Sequence, residues 1–169
     1  MRRELAAGLL ALAAAAGAVA APPCILVFGQ GRNPPAAGAP DWDELNARFN
    51  AAVAEALEAP GRRTVALTAS AAQIDPASAG LALLQQADAA GCITLAETTV
   101  FTDGQDTLVL RLRVYPLLPQ FDGGRIAGLR IGAPLFVTQR ELAMATLARL
   151  QPERLAAQMA AEYLQHDRR

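Results

Sequence analysis

The sequence predicts an α/β fold: a single domain of two or three layers, in which about four helices pack on a mixed β-sheet of about five strands that includes a β-hairpin. Two observations support this class. Short β-rich runs alternate with amphipathic helical segments over residues 24–102. An Asp-Gly pair then separates two further β-rich runs, which is a strong hairpin signal.

The N-terminus has the layout of a signal peptide. Arg2 and Arg3 are followed by an uncharged run from Leu5 to Cys24, and Ala18-Val19-Ala20 supplies the small residues that precede a cleavage site. We therefore predict a signal peptide at residues 1–21, a single α/β domain at residues 22–169 and a periplasmic location. The alternatives are an uncleaved anchor, although a spanning helix needs about 20 predominantly apolar residues, and a twin-arginine signal.

Charge and composition argue against a nucleic-acid partner. The chain has 15 basic residues, all of them arginine, and 16 acidic residues. Removal of residues 1–21 leaves 13 basic and 15 acidic residues, a formal charge of −2 on 148 residues. This balance provides no electrostatic attraction for a polyanion.

Both cysteines stand at the first residue of a predicted strand. Cys24 opens Cys-Ile-Leu-Val and Cys92 opens Cys-Ile-Thr-Leu, so the two residues would lie at the same end of neighbouring parallel strands. A disulfide is the favoured prediction for two cysteines in an exported chain, with two buried thiols or a catalytic thiol as alternatives. Pro22 and Pro23 argue against a lipid anchor on Cys24.

The first strand is predicted at Ile25 to Phe28, with Gly29 ending it. The glycine- and proline-rich residues 29–40 predict a surface loop, with contact to a partner as the alternative. This loop departs from the dinucleotide-binding fingerprint, because Pro34 replaces the third glycine and no helix begins there.

Two helices and a strand follow. Asp41 and Glu44 form a capping box, and Trp42, Leu45 and Phe49 begin an apolar stripe that predicts a helix ending near Gly61. The segment Thr-Val-Ala-Leu-Thr-Ala-Ser at residues 64–70 predicts the second strand. The next helix is predicted from an N-cap at Asp75 with Pro76 at its first position to a stop at Gly91. Its predicted buried stripe consists of Leu81, Leu84 and Ala87.

The hairpin comprises residues 92–102 and 106–115. Leu108, Leu110, Leu112 and Val114 are predicted to face the helices. Arg111 and Arg113 then lie side by side on the other face, for which a solvated outer face is the simpler interpretation and a binding surface the alternative. Together with loop residues, they form the candidate partner surface, whose members are Arg111, Arg113, Gln30, Arg32 and Asn33.

The C-terminal part is predicted to contain one more strand and two helices. Pro116 and Pro119 are expected to break the second arm of the hairpin, and residues 124–132 read as a strand. Thr138 and Glu141 form a second capping box. C-terminal helices are therefore predicted over residues 139–165, with Pro152 as the point where the helix restarts.

The sequence predicts no catalytic residue, cofactor or metal site. The single histidine, His166, lies in a charged tail, where solvent exposure is the simpler explanation. No cluster of histidine and cysteine residues and no calcium-loop motif is present in the sequence. The alternatives to a binding protein are a small periplasmic hydrolase and a ligand-binding module with an unrecognised site.

The order of elements resembles a family of envelope proteins: the TolB N-terminal domain and the CsgG-, PelC- and LpoB-like periplasmic proteins. The resemblance consists of a strand and loop leading to the helix "WDELNARFNAAVAEAL", then the opening "GCITLAETTVF" and the second hairpin arm "TLVLRLRVYPLLP". It implies a non-enzymatic role in binding another envelope component or in forming a homo-oligomer. Several members are lipid-anchored, whereas Pro22-Pro23-Cys24 departs from that pattern and argues against membrane attachment after cleavage.

Overall fold

The computed structural model describes residues 22–33, 36–70, 76–103 and 106–168. In these residues the chain forms six strands, three α-helices and a 3₁₀-helix. The strands are β1 (Cys24–Gln30), β2 (Arg63–Ala69), β3 (Cys92–Thr102), β4 (Thr107–Asp122), β5 (Arg125–Ile131) and β6 (Phe136–Ala143). The helices are α1 (Trp42–Leu57), α2 (Pro76–Ala90), the 3₁₀-helix (Met144–Arg149) and α3 (Pro152–Asp167). The predicted α/β class is confirmed.

All six strands belong to one mixed sheet. Strand β1 lies between β2 and β3 and is parallel to both, whereas β3 and β4 are antiparallel. The first half of β4 pairs with β6 and its second half with β5. Strand β4 therefore extends well beyond the three parallel strands, and the β4–β5 hairpin projects from one end of the sheet.

Helices cover both faces of the sheet, so the domain has three layers. On one face, α1 and α3 pack on the buried even-numbered residues of β4, as predicted: Leu108, Leu110, Leu112 and Val114. On the other face, Leu83 and Ala87 of α2 pack against Leu26, Leu95 and Leu117. Of the predicted buried stripe of α2, Ala87 is buried and Leu84 packs against this cluster, whereas Leu81 is 61% exposed and Leu83 is buried instead. The predicted cap Asp75 lies outside the described residues.

The close approach of α1 to β1 depends on Gly29. A Cβ atom at this position would lie 2.9 Å from Asn46 Nδ2 and from Asn50 Cβ. Asn50 is buried and connects the layers: its Nδ2 donates to Leu67 O (3.0 Å), and its Oδ1 accepts from Thr98 Oγ1 (2.8 Å). Strand β1 thus continues through Gly29 to Gln30, one residue beyond the predicted stop.

The predicted strand break at Pro116 and Pro119 was wrong. Strand β4 continues to Asp122, and the Pro116 carbonyl accepts a hydrogen bond from Gly132 N (2.9 Å). The pairing of β3 with β4 ends at Thr94 and Pro116, so beyond this point one side of β4 is a sheet edge. Pro119 lies beyond this point, and proline is tolerated there because no strand on the free side requires its missing N–H.

The predicted helix start at Thr138 was also wrong. Residues 136–143 form β6, and the next α-helix begins only at Pro152. The side chains of β6 alternate between half-buried and exposed, and Thr138 Oγ1 donates to Glu162 Oε2 of α3 (2.9 Å) rather than capping a helix. The edge of β4 opposite β3 would otherwise be unpaired, so pairing with β6 satisfies its backbone groups.

The predicted disulfide is present. Cys24 and Cys92 are register partners at the start of β1 and β3, their Cα atoms lie 4.2 Å apart, and their sulfur atoms are bonded. Both residues are buried in the cluster beneath α2. The bond therefore joins the two central parallel strands within the core.

Candidate functional site

Part of the sheet face that carries α2 lies beyond the contacts of that helix. We call this part the open face and define it by five residues: Glu97, Thr99 and Phe101 of β3, and Arg111 and Arg113 of β4. Their positions alternate with the buried residues of the opposite core, so their side chains share one face. The core that α2 covers contains residues from the other ends of these strands.

The loop after β1 brings a third arginine to the open face. The Arg32 guanidinium carbon lies 5.7 Å from the centre of the Phe101 ring, and Arg32 Nη2 lies 4.0 Å from Glu97 Oε1. The neighbouring Asn33 Oδ1 accepts a hydrogen bond from Thr102 N (2.9 Å), which ties the loop to the end of β3. Arg32 is thereby positioned by the backbone of the sheet.

Of the candidate partner surface, the structure thus brings Arg32, Arg111 and Arg113 together. Asn33 holds the loop that carries Arg32. Gln30 is the last residue of β1 and stands in register with Ala69 of β2.

Glu97 is the carboxylate at the centre of this cluster. Its Oε2 accepts a hydrogen bond from the Tyr115 hydroxyl (3.1 Å) and lies 3.6 Å from Arg113 Nη1. Arg113 also donates to the Tyr115 hydroxyl (3.3 Å). This hydrogen bond, with the nearby Glu97 charge, raises the pKa of the Arg113 guanidinium. Arg113, Tyr115 and Glu97 therefore form a linked network.

Arg111 has a different environment. Its guanidinium carbon lies 5.0 Å from the centre of the Phe101 ring, so Arg32 and Arg111 both contact this ring. Burial, followed by repulsion from Arg113 and Arg32, lowers the pKa of the Arg111 guanidinium. Of these three arginines, only Arg32 and Arg113 lie at ion-pair distance from Glu97, which leaves a local excess of positive charge.

Two buried polar atoms of the open face have no hydrogen-bond partner within the described part of the chain: Arg111 Nε and Thr99 Oγ1. Thr99 is only 1% exposed and is the register partner of Arg111, so the two side chains lie opposite each other on one face. Buried polar groups are normally hydrogen-bonded, which makes this pair the least satisfied part of the face.

A groove lined by polar and apolar side chains includes Arg113. It has a volume of about 300 Å³ and runs between α2 and the sheet. Its polar wall is formed by Glu97, Arg113 and Tyr115, and its apolar wall by Phe28, Leu83, Leu95 and Ile131. Beyond it, Phe121 and Ile126 on the β4–β5 hairpin are more than 60% exposed, at 62% and 64%. The site thus combines cationic and apolar surface.

Other functional features are limited in the described residues. These residues contain no group of three or more His, Cys, Asp or Glu side chains that could hold a metal ion, and no helix among them is long and apolar enough to span a membrane. His166 is exposed in the last turn of α3, with its ring centre 5.5 Å from that of Phe136.

No family model matches the chain, and a comparison with curated proteins finds no significant match.

The sequence interpretation identified the arginines but missed Glu97, Thr99, Phe101 and Tyr115. The alternation that placed Arg111 and Arg113 on one face also holds for the first arm of the hairpin. Applied to residues 92–102, it places Glu97, Thr99 and Phe101 together on one face. The signal was therefore present in the sequence.

Proposed function

We propose that this protein is an exported, non-enzymatic protein of the periplasm that binds another cell-envelope component through its open face. The observation that carries this proposal is the cluster of Arg32, Arg111 and Arg113 beside an apolar groove. Arginine combined with exposed apolar surface is the composition of binding surfaces rather than of ordinary solvated faces.

The disulfide and the N-terminal sequence support export. Disulfides persist in oxidising compartments such as the periplasm and are rare in the cytosol. The Cys24–Cys92 bond lies in the core, where both residues are at most 2% exposed. We also propose a relationship to the TolB- and CsgG-like envelope proteins, which rests on the order of strands and helices.

A small-ligand binding module is the second candidate function. The groove of about 300 Å³ favours it, because it is lined by apolar side chains together with a few polar ones. A protein partner and a small ligand would make different use of the same surface. A protein partner would also cover the exposed apolar side chains of the β4–β5 hairpin, such as Phe121 and Ile126.

Photo-crosslinking in living cells tests the proposed partner. The photoreactive amino acid p-benzoyl-phenylalanine replaces Ile131, which lines the groove and is 41% exposed. The matched control replaces Ala161, which is exposed on α3 in the opposite layer. We expect a discrete adduct with an envelope protein from position 131 and none from position 161. Equal adducts from both positions, or none from position 131, would contradict the proposal, and an adduct with a second copy would identify a homo-oligomer.

The intact mass of the protein recovered from the periplasm tests export. We expect cleavage after Ala20 or Ala21 and a mass lower by two hydrogens than that of the reduced chain. An uncleaved chain with two freely alkylated thiols would contradict export through a signal peptide.

A further inference from the structure

The strongest unexplained feature of the molecule is the environment of Arg111. Within the described part of the chain, no carboxylate lies at ion-pair distance from its guanidinium, whereas Arg113 lies 3.6 Å and Arg32 4.0 Å from Glu97. The guanidinium carbons of Arg32 and Arg111 nevertheless lie 5.7 and 5.0 Å from the centre of the same ring, that of Phe101, and the Arg32 charge repels that of Arg111. An anion bound beside both groups would offset this repulsion.

The two unsatisfied buried atoms indicate which kind of group would complete the site. Arg111 Nε is a donor, and the Thr99 hydroxyl can act as one. A buried polar group that lacks a hydrogen-bond partner destabilises the folded state. The Thr99 hydroxyl can also accept, whereas Arg111 Nε and the surrounding guanidinium groups only donate, so the group that is lacking beside Arg111 is an acceptor.

We propose that Arg32 and Arg111 bind a phosphate group on the open face, in front of the Phe101 ring. This inference rests on the proposed function, since it takes the open face as the binding surface and names the chemistry of what binds. Three guanidinium groups and one carboxylate leave two positive charges uncompensated, which matches a dianion better than a single carboxylate. The planar forks of arginine also suit the oxygens of phosphate.

The adjacent groove supplies a place for the rest of the ligand. Arg113 and Glu97 line this groove together with the apolar side chains of Phe28, Leu83, Leu95 and Ile131. An organic phosphate could therefore place its phosphate at Arg111 and its remaining atoms against α2. Such a phosphate occurs both in soluble phosphomonoesters and in lipid headgroups, and the two sources call for separate measurements.

Titration calorimetry of the purified protein with sodium phosphate tests the site directly, at constant ionic strength and with sulfate as a second tetrahedral dianion. We expect saturable binding at one site. Loss of a bidentate guanidinium contact weakens binding by at least about tenfold, so Arg111→Gln and Arg32→Gln should each have this effect. Arg149→Gln removes the same charge from the 3₁₀-helix, in the layer of α1 and α3, and should bind as the wild type does.

Arg32→Gln keeps the test decisive if Arg111→Gln misfolds, because the Arg32 side chain lies on a loop and is 44% exposed. The source of the phosphate is resolved by comparing glucose 6-phosphate with vesicles of phosphatidylcholine containing phosphatidic acid. Binding of either probe that depends on Arg32 supports the site and identifies its source.

Three results would overturn the inference: no saturable phosphate binding, equal weakening in Arg149→Gln, or acetate binding as tightly as phosphate. The titration uses purified protein without a partner. Absence of phosphate binding would therefore contradict only the phosphate site, and the crosslinks from position 131 would still support the proposed partner. Absence of crosslinks would contradict only the proposed partner, and phosphate binding would still support the phosphate site.

Discussion

Removal of the disulfide should destabilise the protein by a large and calculable amount. Cys24 and Cys92 are separated by 68 residues in the sequence. In the chain-entropy model, a cross-link that closes a loop of this length stabilises the folded state by roughly 4 kcal/mol at room temperature. Reduction of the wild-type protein removes this constraint and retains both sulfur atoms.

The double substitution Cys24→Ala/Cys92→Ala removes the sulfur atoms as well. Both cysteines are buried against Leu26, Leu83 and Leu95. Loss of two buried atoms of methylene size adds about 1–2 kcal/mol. We therefore expect the double variant to lose about 5–6 kcal/mol, compared with a typical total stability of about 5–15 kcal/mol.

Urea unfolding followed by the fluorescence of Trp42 measures both effects. Trp42 is the only tryptophan and is 5% exposed in the core, so its emission reports global unfolding. The three samples are the oxidised wild type, the reduced wild type and the double variant. A loss below about 1 kcal/mol on reduction would refute the assignment of about 4 kcal/mol to loop closure.

Three further predictions concern the packing and titration of single residues. Gly29→Ala should destabilise by about 1–3 kcal/mol in urea unfolding, since the new Cβ would lie 2.9 Å from Asn50. Asp41→Ala should cost about 1 kcal/mol in the same assay, because its Oδ1 accepts from Glu44 N at the start of α1 (2.9 Å). Burial raises the pKa of Tyr163 above its usual value of 10.0. The Tyr163 hydroxyl therefore stabilises the fold below pH 10.0, and this contribution is lost as the pH rises through the folded-state pKa. Thermal unfolding across alkaline pH should show a shallower loss of stability in Tyr163→Phe than in the wild type.

Each of these predictions has its own contradicting result. A stable Gly29→Ala variant would mean that α1 can move away from β1 at little cost. Asp41→Asn should retain most of the cap, so an equal loss in Asp41→Asn and Asp41→Ala would argue against the hydrogen bond. Equal slopes for Tyr163→Phe and wild type above pH 10.0 would refute the effect of burial.

Apart from the Cys24–Cys92 disulfide, the features that were predicted depend on local sequence, and those that were missed depend on distant pairing. The cap at Asp41 and the alternating face of β4 are set by residues a few positions apart. In contrast, Thr138 and Glu141 have the spacing of a capping box but lie in a strand, because the free edge of β4 pairs with them. That edge is a property of the folded sheet and is not visible in the local pattern.

The same distinction separates the parts of the candidate site. Arg111 and Arg113 were placed on one face by the alternation of β4, which is local information. The position of Arg32 depends on β1 and β3 being neighbours and on the hydrogen bond from Thr102 N to Asn33 Oδ1. A loop and a strand distant in sequence meet only once the order of the strands is known.

The order of the strands also explains why a binding site would arise at this place. From β1 the chain passes through α1 to β2 on one side, and from β2 through α2 to β3 on the other. The carboxyl ends of β1 and β3 therefore meet where the sheet connections diverge, a location at which open α/β sheets bind ligands. Dinucleotide-binding folds place a helix N-terminus there to hold phosphate. Here the loop carries Arg32 to the same point, so that guanidinium groups replace backbone amides as the donors.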